Sequence, residues 1–233
     1  MSNDFKRIPY GISSFKQVRE EGLYLVDKSM FFEQLELAGN FFYIVRPRRF
    51  GKSLFLNMLE AYYDINEKDN FDKLFAGLYV ADHPTGNRNK YLVIHLDFSQ
   101  IQGDVDLIAE NLNIYLTNQC NLFALKYKQF YPAELTQLLQ QATTGSSKLN
   151  LIGNLSRQLG IRLYLIVDEY DNFTNDVLNT KGQQAYHELT HGTGIYRELF
   201  KKFKPVFDRI IMLGVSPITL DDLTSGYNIA LNI

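Results

Sequence analysis

Four apolar runs frame this chain. Residues 41–45, 91–98, 161–169 and 207–214 are each of strand length and almost continuous in apolar character. Such runs predict strands covered on both faces, as in a parallel sheet. Between them the spacing turns helical. Phe31, Phe32, Leu35 and Leu37 supply the apolar positions of a helix expected over 28–38, with Asp27 as cap and Gly39-Asn40 as stop. Leu54, Phe55, Met58, Leu59, Tyr62 and Tyr63 cover a wide arc of a helix over 54–63, which predicts packing on more than one side. Shorter helices are expected over 15–20, 71–75 and 195–203, and a short strand over 23–26. A long helical insertion is expected over 104–159, broken at Tyr131-Pro132 and at Thr144-Gly145-Ser146-Ser147. Strong strands separated by helices imply an α/β class with a mostly parallel sheet and right-handed crossovers.

The first strong strand runs into Arg46-Pro47-Arg48-Arg49-Phe50-Gly51-Lys52-Ser53, and Leu54 continues as helix. Strand, glycine-lysine-serine turn, helix is the layout of a phosphate-binding loop. Amides at a helix start point outward, and the helix dipole adds partial positive charge there. Gly51 lets the backbone approach a phosphate, Lys52 brings a point charge to the β- and γ-phosphates, and the Ser53 hydroxyl suits a Mg²⁺ ion. The usual pattern carries a glycine where this chain has Arg46, so the loop alone also reads as a helix start behind a basic cluster. The run ending in Asp168-Glu169 supplies the other half of the chemistry. A first acid holds the Mg²⁺ shell and a second orients or deprotonates the attacking water. Asp171 reads either as a third acid or as a helix cap, the cap being favoured. Ser216, just beyond the last strong strand, suits contact with a γ-phosphate or water, or a purely structural turn beside Pro217.

Composition changes this picture little. At 233 residues and 45% apolar content the chain can bury one large core, expected as a single domain over 1–233. A net charge of −2 gives no overall attraction to nucleic acid or anionic lipid. One cysteine excludes an internal disulfide and suits a reducing cytoplasm. No run of about 18 apolar residues occurs, so no membrane span is expected.

The loop resembles that of the bacterial AAA-ATPase-like family, as do Ile8-Pro9-Tyr10-Gly11, Val26-Asp27-Lys28-Ser29, Val167-Asp168-Glu169-Tyr170-Asp171, Gly214-Val215-Ser216-Pro217 and residues 220–229. The resemblance covers nearly the whole chain. It implies a P-loop NTPase three-layer α/β/α fold with a helical insertion, ATP and Mg²⁺ as ligands, and Arg46 as a family variant of the loop. Nucleotide contacts then fall on Arg48, Arg49, Phe50, Gly51, Lys52, Ser53 and Leu54, with Pro9 and Tyr10 beside Ile8 at the base. Metal falls to Ser53 and Asp168, and catalysis to Glu169, Asp168 and Ser216. Family members usually continue into a helical lid and often a nuclease-like domain of the PD-(D/E)XK type. The chain ends at Ile233, before either, so nucleic acid is expected as a partner only through such a further domain.

Arg46, Arg48 and Arg49 suit phosphate oxygens, one of them in the manner of an arginine finger, but also acids of the same sheet edge or a phosphodiester partner. His187-Glu188-Leu189-Thr190-His191 matches the H-E-x-x-H zinc signature. Gly192-Thr193-Gly194 follows at once, and the stretch around 186–197 matches a loop of the resembled family, so exposed histidines are expected rather than a zinc centre. Two functions of different class remain. One is a Mg²⁺-dependent ATPase; the other is a nucleotide-binding switch or scaffold that hydrolyses little.

Overall fold

The computed structural model describes residues 6–101, 105–191, 195–215 and 231–232. The chain divides into two compact units, Met1–Gly39 with Pro47–Val93, and Asn40–Arg46 with Ile94–Ile233.

The first unit is a small helical cluster built on aromatic packing. It holds α1 (Phe15–Glu20), α2 (Phe31–Ala38), α3 (Lys52–Tyr63), α4 (Phe71–Phe75) and α5 (Tyr79–Asp82). Phe15 meets Phe75 at 5.1 Å between ring centroids, Phe32 meets Tyr62 at 4.8 Å, and Tyr62 stands edge-on to Tyr63 at 5.0 Å. Each such pair adds about 0.5–1.5 kcal/mol beyond the area it buries. The wide apolar arc expected of α3 is borne out, since Phe55, Leu56, Met58, Leu59, Ala61, Tyr62 and Tyr63 are all buried.

Two local expectations fail in this unit. Residues 23–26 form no strand; Tyr24 N–H donates to the Arg7 carbonyl at 2.8 Å, and the Tyr24 and Val26 side chains are exposed. The helix expected from residue 28 starts at Phe31, and Asp27 does not cap it. The Asp27 carboxylate instead accepts from the amides of Ser29 at 2.8 Å and Tyr79 at 2.7 Å. With the start displaced, α2 buries Phe32 and Leu35 but leaves Leu37 exposed.

Burial opposes the Asp27 charge, but the amides of Tyr79 and Ser29, with Arg19 nearby, outweigh it and hold the carboxyl below its ordinary 3.8. A depressed folded value means that its stabilisation is present above about pH 4 and fades as pH falls through the folded value. The gap in urea midpoint between wild type and Asp27→Asn is therefore expected to be constant from pH 7 to 5 and to narrow below pH 4. A gap that widens on acidification would contradict this.

The second unit carries the sheet. Its strands are β1 (Phe41–Val45), β2 (Leu92–Asp97, entering from the first unit), β3 (Leu163–Asp168), β4 (Arg209–Gly214) and β5 (Leu231–Asn232), in the order β2-β3-β4-β1-β5. The β1–β4, β1–β5 and β3–β4 pairings are all parallel, which bears out the α/β expectation. All six residues of β3 and of β4 are buried, as strands covered on both faces require.

The second unit also holds α6 (Ile108–Lys126), α7 (Leu135–Gln141), α8 (Gly145–Gln158), α9 (Asn172–Thr190) and α10 (Ile195–Phe203). Both expected breaks are present, at Tyr131-Pro132 and between α7 and α8, where Thr144 is extended and Gly145 opens the next helix. Thr144 caps this helix by accepting from Ser147 N–H at 3.1 Å. Gly145 is required because α6 packs against it: an added Cβ would lie 2.5 Å from Leu116 Cβ. Cys120 of α6 is buried there, and burial, partly offset by Lys148, pushes its thiol up to about 12. Among the described residues no helix is long and apolar enough to cross a membrane.

Candidate functional site

Register places three strand ends at one edge of the second unit. Val45 pairs with Gly214 and Val167 with Met212, so β1, β4 and β3 all finish together. β4 lies between the other two, which sets the β1 and β3 axes about 10 Å apart. Open α/β sheets bind ligands at such carboxyl ends.

The end of β4 is fastened to both neighbours. Arg46 N–H, on the residue after β1, donates to the Gly214 carbonyl at 3.2 Å. Tyr170 N–H, just after β3, donates to the Leu213 carbonyl at 3.2 Å. The Asp171 carboxylate accepts from Val215 N–H, with oxygens at 3.1 and 3.2 Å, and from Asn175 Nδ2 at 3.2 Å. Asp171 does occupy the N-cap position of α9, but its side chain makes no cap bond there. This buried carboxylate ties the turn after β3 to the exit of β4. Its partner lies 44 residues away, so nothing in the local pattern announces it.

Asp168 is buried at the end of β3, and Glu169 beside it is half-buried. Asp168 Oδ1 accepts from Glu169 N–H at 2.9 Å. Glu169 has φ of 52°, a left-handed conformation that a branched or long side chain seldom adopts. Strain of this kind, held by the Tyr170 and Asp171 anchors, aims one side chain at the cost of local stability.

The basic loop belongs to the first unit. Arg49 (φ 67°) and Gly51 (φ 73°, ψ 29°) are both left-handed, and Gly51 is the N-cap of α3. The first turn closes with Phe55 N–H to the Gly51 carbonyl at 3.0 Å, which leaves the Ser53 and Leu54 amides at the open end of the helix. Lys52 is buried, with Nζ 3.4 Å from the Pro47 carbonyl. Ser53 is half-buried, whereas Arg48, Arg49 and Phe50 are exposed.

Lys28 is a cation at this loop that the sequence pattern did not single out. Its Nζ donates to the Phe50 carbonyl at 3.0 Å and would lie 3.7 Å from a Cβ placed on Gly51. It lines a cavity of about 500 Å³ together with Ile8, Pro9, Leu25, Phe50, Gly51 and Leu54, among others. That volume is within the range of small-molecule sites. Ile8 and Pro9 both line this cavity. Tyr10 is 96% exposed and does not line the cavity.

Ser216 lies outside the described residues. The 186–190 part of the supposed loop is helical, the last turns of α9. His187 and His191 stack at 3.7 Å between ring centroids, and His191 Nδ1 lies 2.9 Å from Thr190 Oγ1. Among the described residues no group of three or more His, Cys, Asp or Glu side chains is placed to hold a metal ion.

The family model described as "Predicted AAA-ATPase" matches residues 9–224. The chain belongs to that family. The match takes in the basic loop, the paired acids and the end of β4 within one AAA-ATPase-like region. The chain is also 31% identical over 229 residues to a protein of Azotobacter chroococcum mcd 1, named as an uncharacterized protein in vnfD 5'region. That alignment covers 96% of this chain but 40% of the relative, so the chain spans about two-fifths of the relative's length. No solved structure matches the chain.

Proposed function

We propose that this AAA-ATPase-like chain is a P-loop NTPase module of three-layer α/β/α type that binds ATP with Mg²⁺ and hydrolyses it. The observation that carries the reading is the shared sheet edge. β1 and β3 end at one edge of the second unit, one strand apart; β3 carries Asp168 and Glu169 there, and from β1 the chain continues through the basic loop into a helix opened by a left-handed glycine. Family membership supports nucleotide binding in general terms.

The residues fit such a ligand. A Cβ at position 51 would be strained in its left-handed φ, which glycine adopts freely. The Ser53 and Leu54 amides and the α3 dipole receive phosphate oxygens, and Lys52 neutralises the β- and γ-phosphates. Arg48 and Arg49 are exposed guanidiniums suited to the outer phosphate oxygens. The cavity beside Ile8 and Pro9 takes the base. Ser53 and Asp168 would hold Mg²⁺, which would supply charge neutralisation at the phosphates; such an ion needs only one or two protein oxygens. Glu169 orients and deprotonates the attacking water, with Ser216 as a polar contact beyond β4. A helical lid and a PD-(D/E)XK-type domain acting on nucleic acid are proposed as companions of the module in longer relatives.

Calorimetric titration of ATP and GTP, with and without Mg²⁺, tests the reading. Lys52→Ala is expected to weaken ATP by roughly 10- to 150-fold, the size of a hydrogen bond to a charged group. Equal affinity in wild type and variant would overturn the loop assignment. Binding without phosphate release would favour the switch or scaffold.

A further inference from the structure

We propose that Lys28 is a second phosphate-reading cation of this site, contacting the phosphate nearest the sugar. The inference rests on the loop being the triphosphate site. A ligand with its base in the 500 Å³ cavity and its outer phosphates at the start of α3 must cross the strip between them. Phe50, Gly51 and Lys28 line the cavity, Gly51 is also the N-cap of α3, and Lys28 is the cation among the described lining residues. An ammonium carries three N–H donors, and the Phe50 carbonyl uses one of them. The remaining donors suit the oxygens of a phosphate passing over Gly51, where the absent Cβ leaves the backbone open.

Lys28 is also held in advance. The residues on either side of it are both pinned to the start of α5. Asp27 accepts from Tyr79 N–H at 2.7 Å, and the buried Ser29 hydroxyl accepts from Val80 N–H at 3.1 Å. A turn fixed at two flanking positions presents the side chain between them at little entropic cost on binding. A lysine needed only to satisfy one exposed carbonyl would not require this, because water serves that carbonyl equally well.

The two roles separate by substitution. Lys28→Gln keeps a neutral donor for the Phe50 carbonyl and removes the charge; Lys28→Arg keeps the charge. Titration of ATP and ADP into the full chain with Mg²⁺ is expected to show both nucleotides weakened about 10- to 100-fold in the Gln variant. The Arg variant is expected to bind within a few-fold of wild type, and all three ligand-free proteins to melt together. A Gln variant that binds like wild type would overturn the proposal and reduce Lys28 to a brace for the loop. Loss confined to ATP, with ADP unaffected, would also overturn it, by moving the contact to the γ-phosphate. A wild type that binds neither nucleotide would remove the loop reading itself, an outcome visible before any variant is made.

Discussion

Glu169→Gln is expected to cut phosphate release from ATP by roughly 10²–10⁴-fold while leaving nucleotide affinity nearly unchanged. The amide keeps the size of the carboxylate but cannot accept the proton of an attacking water. Gln is the informative replacement because it retains the left-handed backbone of residue 169 and the Asp168 Oδ1 bond to the 169 amide. Glycine would relieve the strained φ as well, and so confuse a chemical loss with a change of shape. Calorimetry for affinity and a phosphate-release assay for turnover check the two halves separately. Full turnover in the Gln variant would remove Glu169 as the base. Lost affinity with proportionate loss of turnover would make it a binding residue instead.

Gly214→Ala is expected to lower the melting temperature by roughly 5–10 °C, from an overpacking cost of about 1–3 kcal/mol or more. The added methyl would lie 2.5 Å from Tyr170 Cε1 and 2.6 Å from Asp171 Oδ1. Neither neighbour can yield easily. Tyr170 and Asp171 are both buried, the Tyr170 carbonyl accepts from the Tyr196 hydroxyl, and Asp171 is bound to Val215 N–H. Because these two residues anchor the turn that carries Glu169, the variant is also expected to lose turnover out of proportion to its unfolding. Gly86→Ala, with nothing within 4 Å of the added carbon, is the control and is expected to melt like wild type. Coincident melting of both variants would show that β4 does not pack as described.

Whatever depends on neighbours in sequence was legible before the fold was known. β1 and α10 keep their expected limits, and so do α1 and α4, because each is bounded by turn residues or by a side-chain cap. The glycine-lysine-serine turn also announced itself, since a helix opened by a left-handed glycine is a local affair. Contacts made at long range were not legible. Asp27 looks like a cap from its own stretch, yet its carboxylate is claimed by an amide 52 residues on, and the helix start moves accordingly. Lys28 reads as the first residue of that helix until the Phe50 carbonyl, 22 residues later, gives it another task. Asp171 has the right type and place for a helix cap, but Val215 competes for it and wins. The break at Thr144 was legible but its extent was not: Gly145 to Ser147 already belong to α8, because close packing on α6 rewards a glycine that is otherwise a weak helix former.

The silent thiol in α6 makes the chain ready for spectroscopy as it stands. Cys120 is enclosed, its sulfur faces the Gly145 carbonyl at 3.8 Å, and its proton is held far above neutral pH, so maleimides and iodoacetamides find no thiolate there. A cysteine introduced at exposed Arg48 or Tyr10 would then carry a fluorophore or spin label alone, and report directly on whether nucleotide alters its surroundings.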